Sequence, residues 1–206
     1  KFGDFTVQSR LTGRFNVYNL LAAIGVALAE GISVDDIQTA LADFATVPGR
    51  FERVEIDKPF SVIVDYAHTP DGLENVLRTA KQFVSGRLIA VFGCGGDRDR
   101  TKRPIMGELA ARYADRVIVT SDNPRSEEPE FIIGQIMAGI VTPEAQRRTE
   151  TIADRRQAIQ RAMEIAEAGD VILVAGKGHE NYQILADRTI HFDDREVVQE
   201  LAGGKS

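Results

Sequence analysis

Hydrophobic positions recur along this chain in two textures. From residue 15 to 30, Leu20, Leu21, Ile24, Ala27 and Leu28 fall at helical spacing, and the pattern stops at Gly31, a residue type that ends helices by turning left-handed. Ser33 then caps a second helix, with Asp35 and Asp36 in its first turn and Ile37, Leu41 and Phe44 on one face. Val47-Pro48-Gly49 breaks this pattern and sets a domain boundary between residues 47 and 48. Beyond it, short apolar runs alternate with amphipathic stretches. Ser61–Asp65, Leu88–Phe92, Arg116–Thr120 and Val171–Ala175 read as strands. Helices are predicted from Pro70 to about Val84 behind an N-cap at Thr69, from about Pro104 to Tyr113, over 128–139 and over 154–168. Ile184 to Phe192 reads as a hairpin or an edge strand. Strands that are continuously apolar and separated by helices imply a parallel sheet covered on both faces. The expected fold is therefore α/β, a Rossmann-like doubly wound and mostly parallel sheet from about residue 50, preceded by a short mainly helical segment.

The polar motifs fall at the strand ends. They are Asp65-Tyr66-Ala67-His68, Gly93 to Arg98, Ser121 to Arg125, and Gly176-Lys177-Gly178-His179-Glu180. Parallel strands send such loops to one edge of the sheet, where open α/β proteins bind ligands, so four of them predict one cleft. Asp122-Asn123-Pro124-Arg125 offers an acceptor, an amide and a two-pronged cation within four residues. That set suits a small zwitterion bearing carboxylates; the same residues are also ordinary turn vocabulary. Glu180 is the natural partner for an ammonium group, whereas Lys177 and His179 fit anion binding or a structural role. Gly93-Cys94-Gly95-Gly96 gives backbone amides access to an anion, and Arg98, Arg100, Lys102 and Arg103 follow as anion-binding or solvated cations. Asp65 to His68 reads as catalytic, nucleotide-binding, or a capped helix entry.

Composition narrows the classes. The net charge of −6 argues against a nucleic-acid binder, and no apolar run approaches the roughly 20 residues of a membrane span. The single cysteine, Cys94, excludes an internal disulfide and fits a reducing cytoplasm. In its glycine-rich turn it reads as a small buried residue rather than a nucleophile. His68, His179 and His191 lack metal-ligand spacing. The glycines at 93–96 fail the dinucleotide fingerprint because Arg98 takes its last position, which disfavours an oxidoreductase. Ala202 to Ser206 does not make a P-loop and reads as a frayed tail. Lys1 to Phe5 carries neither an initiating Met nor a signal-peptide pattern and reads as the interior of a longer protein, cut within a domain.

Three ordered motifs carry a family resemblance. Gly13-Arg14-Phe15-Asn16-Val17-Tyr18-Asn19 followed by Leu20-Leu21-Ala22-Ala23, then Pro48-Gly49-Arg50-Phe51-Glu52, then Asp65 to Asp71, resemble the Mur ligases. Gly93 to Pro104, the tetrapeptide at 122–125 and Gly176 to Glu180 are similar to the diaminopimelate-adding members, and the resemblance covers essentially the whole chain. It implies that residues 1–47 are the C-terminal segment of a central ATP-binding domain and 48–206 the C-terminal, amino-acid-binding domain. The implied reaction is ATP-dependent addition of meso-diaminopimelate to UDP-N-acetylmuramoyl-L-alanyl-D-glutamate through an acyl phosphate, supported by Mg2+, in peptidoglycan precursor synthesis.

By the same resemblance Asn16 and Asn19 lie beside the adenine pocket, Arg50 meets phosphate, Asp65 the ribose, and His68 belongs to the nucleotide-facing loop with no fixed role. Arg98, Asn123, Arg125, Gly176 and Glu180 form the amino-acid pocket, with Asp122 near. Lysine-adding relatives replace the arginine of the tetrapeptide, so Arg125 favours diaminopimelate. The family's P-loop, carbamylated lysine, magnesium ligands and UDP-sugar domain have no counterpart here, so the chain alone is expected to be inactive. The remaining expectations are a cytoplasmic monomer whose partners are meso-diaminopimelate, ATP and the UDP-N-acetylmuramoyl-dipeptide, with no nucleic acid or membrane. Competing readings are a lysine-adding or folylpolyglutamate-synthetase-like ligase and a non-catalytic amino-acid or nucleotide sensor.

Overall fold

In the computed structural model, residues 3–11, 13–44 and 46–203 are described. The first two residues of the predicted interior start, and Gly204 to Ser206 of the predicted frayed tail, lie outside them. Contacts divide the chain into two units, Lys1–Val47 and Pro48–Ser206.

The first unit carries helices α1 (Arg14–Ala29) and α2 (Val34–Asp43). Ser33 caps α2 as its sequence predicts, its Oγ accepting the Asp36 amide at 3.2 Å. Two short helices cannot enclose a core. Among the described residues of this unit only Asn16 and Ile37 are buried, and Leu21, expected on the inner face of α1, is 59% exposed.

The second unit is built around a six-stranded sheet. Its elements are β1 (Glu52–Val54), β2 (Ser61–Asp65), α3 (Pro70–Lys81), β3 (Leu88–Phe92), α4 (Lys102–Tyr113), β4 (Arg116–Val119), α5 (Pro129–Met137), α6 (Pro143–Arg147), β5 (Thr149–Thr151), α7 (Arg155–Ile165) and β6 (Val171–Ala175). A separate two-stranded sheet, β7 (Tyr182–Ile184) with β8 (Thr189–His191), and helix α8 (Asp194–Leu201) follow. The main sheet runs β1-β2-β6-β3-β4-β5, with β1 antiparallel and the rest parallel. The segment from Ile184 to Phe192 is thus a hairpin and not an edge strand of the main sheet.

Local sequence explains the elements. Thr69 accepts the Gly72 amide at 3.2 Å, Pro70 fills the first helical position, Asp71 sits at the positive end of α3, and Arg78 and Lys81 at the negative end. Leu73, Val76, Leu77 and Ala80 bury one face of it. α4 begins two residues before the predicted Pro104, which proline tolerates because first-turn amides have no helical partner. α3 and α7 end earlier than predicted, at Lys81 and Ile165.

On one face of the sheet α7 and α8 cover a cluster that includes Val62, Val64, Ile89, Val91, Ile172 and Val174; α3, α4 and α5 pack side by side elsewhere in the unit. β3 and β6 are buried along their whole length, which is why they read as unbroken apolar runs. Four strands end level: Asp65 pairs with Ala175, Ala175 with Phe92, and Phe92 with Val119. Among the described residues no helix is long and apolar enough to cross a membrane.

Candidate functional site

The level ending of β2, β6, β3 and β4 places their following loops around one cleft of about 650 Å³. His68, Arg98, Asp122, Asn123, Arg125, Gly176 and Glu180, all singled out from sequence, line it. Asp65 and Arg50 belong to the same unit but not to the cleft wall, and Asn16 and Asn19 lie in the other unit, where Asn19 Nδ2 donates to Asn16 Oδ1 at 3.2 Å.

Asn123 is the fixed point of the cleft. It is 3% exposed; its Oδ1 accepts the Ile184 amide at 3.0 Å and the Lys177 ammonium at 3.2 Å, while its Nδ2 donates to Glu180 Oε2 at 2.9 Å. Donors on one side and a carboxylate on the other admit a single orientation of this amide. Lys177 is fully buried and reaches Glu180 Oε2 at 3.3 Å and the Tyr182 ring at 5.5 Å. Of the two roles open to Lys177, the structure assigns the structural one: its ammonium holds Asn123 and Glu180 in place. Gly176, at φ 120°, is the only residue type that fits its position, since a Cβ there would lie 2.6 Å from Asp122 Oδ2.

Arg125 adopts φ 52° and is tied by its amide to the Ile184 carbonyl at 3.1 Å. Its Nη1 donates to the carbonyls of Gly96 at 3.0 Å and Asn123 at 3.3 Å. Arg98 is exposed, with one bond to the neighbouring Asp97 carbonyl at 3.1 Å. The cleft thus carries both guanidinium groups, Arg98 and Arg125, and a carboxylate, Glu180, in its lining.

Two sequence expectations need correction. The glycines at 93–96 are packed against the neighbouring loop rather than left wholly open to an anion. The Gly96 amide donates to the Asn123 carbonyl at 2.9 Å and the Asp97 amide to Glu127 Oε1 at 2.7 Å. Side chains are excluded because the two loops touch: a Cβ on Gly93 would sit 2.2 Å from the Thr120 carbonyl, and one on Gly96 1.8 Å from that of Pro124. Nor do the four cations act together. Arg103 is wholly buried in an ion pair with Glu127, Arg100 meets Glu127 at 3.1 Å, and Lys102 donates to the His68 carbonyl at 2.7 Å. Sequence spacing could not reveal this, because the partner carboxylate lies 24 residues beyond Arg103.

A second cluster borders the cleft. The Arg50 guanidinium stacks over the Tyr66 ring at 4.7 Å, and that ring meets His68 at 4.6 Å and His179 at 5.2 Å. His68 Nδ1 lies 2.8 Å from the Tyr66 carbonyl; a carbonyl only accepts, so the neutral ring carries its proton there and keeps a lone pair on Nε2. Asp65 receives the Phe51 amide on Oδ2 and the Ala67 amide on Oδ1, both at 2.7 Å. Burial pushes its carboxyl above the usual range, against the pull of those amides and of Arg50. Oδ2 therefore holds the 48–51 turn at the strand end, while Oδ1 shapes the loop that follows β2. Burial likewise pushes the Cys94 thiol up to about 12, so it stays protonated beside Met106, its Sγ 3.6 Å from Met106 Sδ.

The fold and cleft define a doubly wound α/β domain that gathers charged side chains around one cleft at its strand ends. More narrowly, the chain belongs to the Mur ligase family: residues 49–178 match the family model described as Mur ligase, glutamate ligase domain. A UDP-N-acetylmuramoyl-L-alanyl-D-glutamate–2,6-diaminopimelate ligase of Syntrophomonas wolfei is 55% identical over 99% of this chain and 42% of its own length. A solved structure of a ligase of that same name is 45% identical, with a TM-score of 0.74 over 97% of this chain and 40% of that one. A folylpolyglutamate synthase of Mycobacterium tuberculosis shares the fold at 21% identity, TM-score 0.69, over 97% of this chain and 42% of that one. The chain thus spans about two fifths of the length of the curated relatives it matches.

Proposed function

We propose that this chain is the C-terminal, amino-acid-binding part of an ATP-dependent ligase that adds meso-diaminopimelate to UDP-N-acetylmuramoyl-L-alanyl-D-glutamate in the cytoplasm. The observation that carries this reading is the placing of Arg125 and Glu180 on one cleft, with Asn123 bonded to Glu180 and backbone-linked to Arg125. Diaminopimelate differs from lysine by a carboxylate on its far carbon. Arg125 suits that carboxylate with Arg98 and Asn123 adding contacts, Glu180 suits its neighbouring ammonium, and Asp122 and Gly176 line the same cleft. A lysine would leave the arginines unpaired, which disfavours it.

ATP is a substrate in this reading. It phosphorylates the dipeptide's free carboxylate; the free amine of the bound amino acid then attacks the acyl carbon, the C–N bond forms, phosphate leaves and the amine sheds a proton. Arg50, stacked on Tyr66, suits a phosphate, and His68 beside it supplies a ring nitrogen to the same region. Asp65 serves by fixing the turn that carries Arg50, and Asn16 and Asn19 are assigned to the adenine side. Among the described residues no group of three or more His, Cys, Asp or Glu is placed to hold a metal ion. In this reading Mg2+ is held mostly by the rest of the ligase.

The test is selectivity. In the full-length ligase, Arg125→Ala is expected to weaken use of meso-diaminopimelate by about 100-fold, the scale of a misplaced substrate, with L-lysine used no worse than before. Calorimetric titration of this chain with both amino acids supplies the direct binding readout. A variant that keeps the wild-type preference overturns the reading.

A further inference from the structure

Glu127 has no role in the ligand chemistry described so far, yet it joins the two arginine-bearing loops alongside their direct bonds from the Gly96 amide to the Asn123 carbonyl and from Arg125 Nη1 to the Gly96 carbonyl. Its Oε1 accepts the Asp97 amide at 2.7 Å and Arg103 Nη2 at 2.9 Å. Its Oε2 accepts Arg103 Nη1 at 3.0 Å and faces Arg100 Nη2 at 3.1 Å. The Arg103 hydrogen bonds hold this carboxyl well below the ordinary range, at about 2. Arg103 is anchored in turn: its side chain is fully buried in α4, with Nη2 on the Gly95 carbonyl at 3.1 Å and Nη1 on Gln135 Oε1 at 2.5 Å.

A second link lies alongside. Asp97 accepts the Ser126 hydroxyl at 2.6 Å and the Ser126 amide at 3.2 Å. The two residues flanking this zipper, Asp97 and Arg125, both hold left-handed conformations, with φ 53° and 52°. Non-glycine residues stay there only where their surroundings impose it, and such sites concentrate where geometry matters for function. The clamp imposes it here, because it grips the amide of Asp97 and reaches the loop two residues past Arg125.

We propose that Glu127 is a positioning residue for amino-acid specificity: through Arg103 and Asp97 it sets the spacing of the Arg98 and Arg125 guanidinium groups that receive the ligand's distal carboxylate. This rests on the proposed diaminopimelate reading of the cleft. Without the carboxylate, Arg103 loses its bidentate partner and the Asp97 amide its acceptor, so the two loops are left with the Gly96–Asn123, Arg125–Gly96 and Asp97–Ser126 bonds alone and their spacing relaxes.

Steady-state kinetics of the full-length ligase test this with Glu127→Gln, which keeps the shape and one acceptor oxygen but not the charge. The expected result is a rise in KM for meso-diaminopimelate on the order of 10- to 100-fold, the cost of misplacing a binding group by about 1 Å. KM for ATP and for the nucleotide dipeptide should stay put, and the preference over L-lysine should fall by the same factor. Arg98→Ala added to Glu127→Gln should cost less than in the wild-type background, because the spacing it serves is already lost. If Glu127→Gln does not fold, Asp97→Asn opens the second link alone and should move the same KM, more weakly. All three KM values rising together, or an unchanged preference in a folded variant, would overturn the inference. A wild-type enzyme that does not prefer diaminopimelate sinks the underlying reading instead, before any variant is measured.

Discussion

Gly49 marks how tightly single residues constrain this cleft. It sits at φ 68°, and a Cβ there would lie 2.0 Å from the His179 amide nitrogen and 2.2 Å from the Gly178 carbonyl carbon. The turn carrying Arg50 thus rests directly on the loop carrying Glu180. Gly49→Ala should destabilise the second unit by at least about 2 kcal/mol, from the left-handed penalty plus the collision. At roughly 2–4 °C per kcal/mol for a unit of this size, a thermal melt should fall by about 4–8 °C; an unchanged melt would mean the turn does not rest on that loop. Residue identity announced most of this site, since Arg98, Asn123, Arg125 and Glu180 stand at strand ends where ligands bind. What the residues withheld was their pairing. Arg103 carries the same charge as Arg100 and Lys102, and Lys177 sits between two glycines, so only packing decides that these two are sealed inside with Glu127 and Glu180.

Among the elements, legibility followed burial. The four longer parallel strands were readable because both faces are covered, leaving polar residues only at their ends. β1 and β5 were not: each is three residues long, at a sheet edge and half solvated, with no periodicity to detect. Helix α8 was missed for a related reason, because its Asp193-Asp194 start sits in a charged stretch. That start matters. Asp194 forms a fully buried pair with Arg155 at 2.8 Å, and Arg155 also donates to the carbonyls of Ser121 at 3.3 Å and Ala175 at 3.1 Å, so α7 and α8 together pin the ends of β4 and β6. Arg155→Met strands the Asp194 charge and should cost about 3–5 kcal/mol, whereas adding Asp194→Leu should restore much of it. Denaturant midpoints decide this; a double variant no better than the single one would show that the carbonyl bonds, not the charge pair, hold the strand ends.

For the whole molecule, the two units differ in self-sufficiency. The second contains the sheet and nearly all buried apolar side chains, while α1 leaves Val17, Tyr18, Leu21 and Val26 more than half exposed. Chymotrypsin acting at Phe44, itself 42% exposed, should therefore release a resistant product that melts as the second unit does in the uncut chain. Loss of that transition on cleavage would show the units to be thermodynamically coupled. The order of strands carries one more consequence. β6 is the last strand of the main sheet in sequence but lies in its interior, between β2 and β3, which do not pair with each other. A nascent chain emerging from the ribosome accordingly holds two unjoined half-sheets with open edges until residues 171–175 arrive, and only then does the row of loops that makes the cleft come into being. The cleft cannot form before β6, and until then the open edges of both half-sheets are free to pair with other chains.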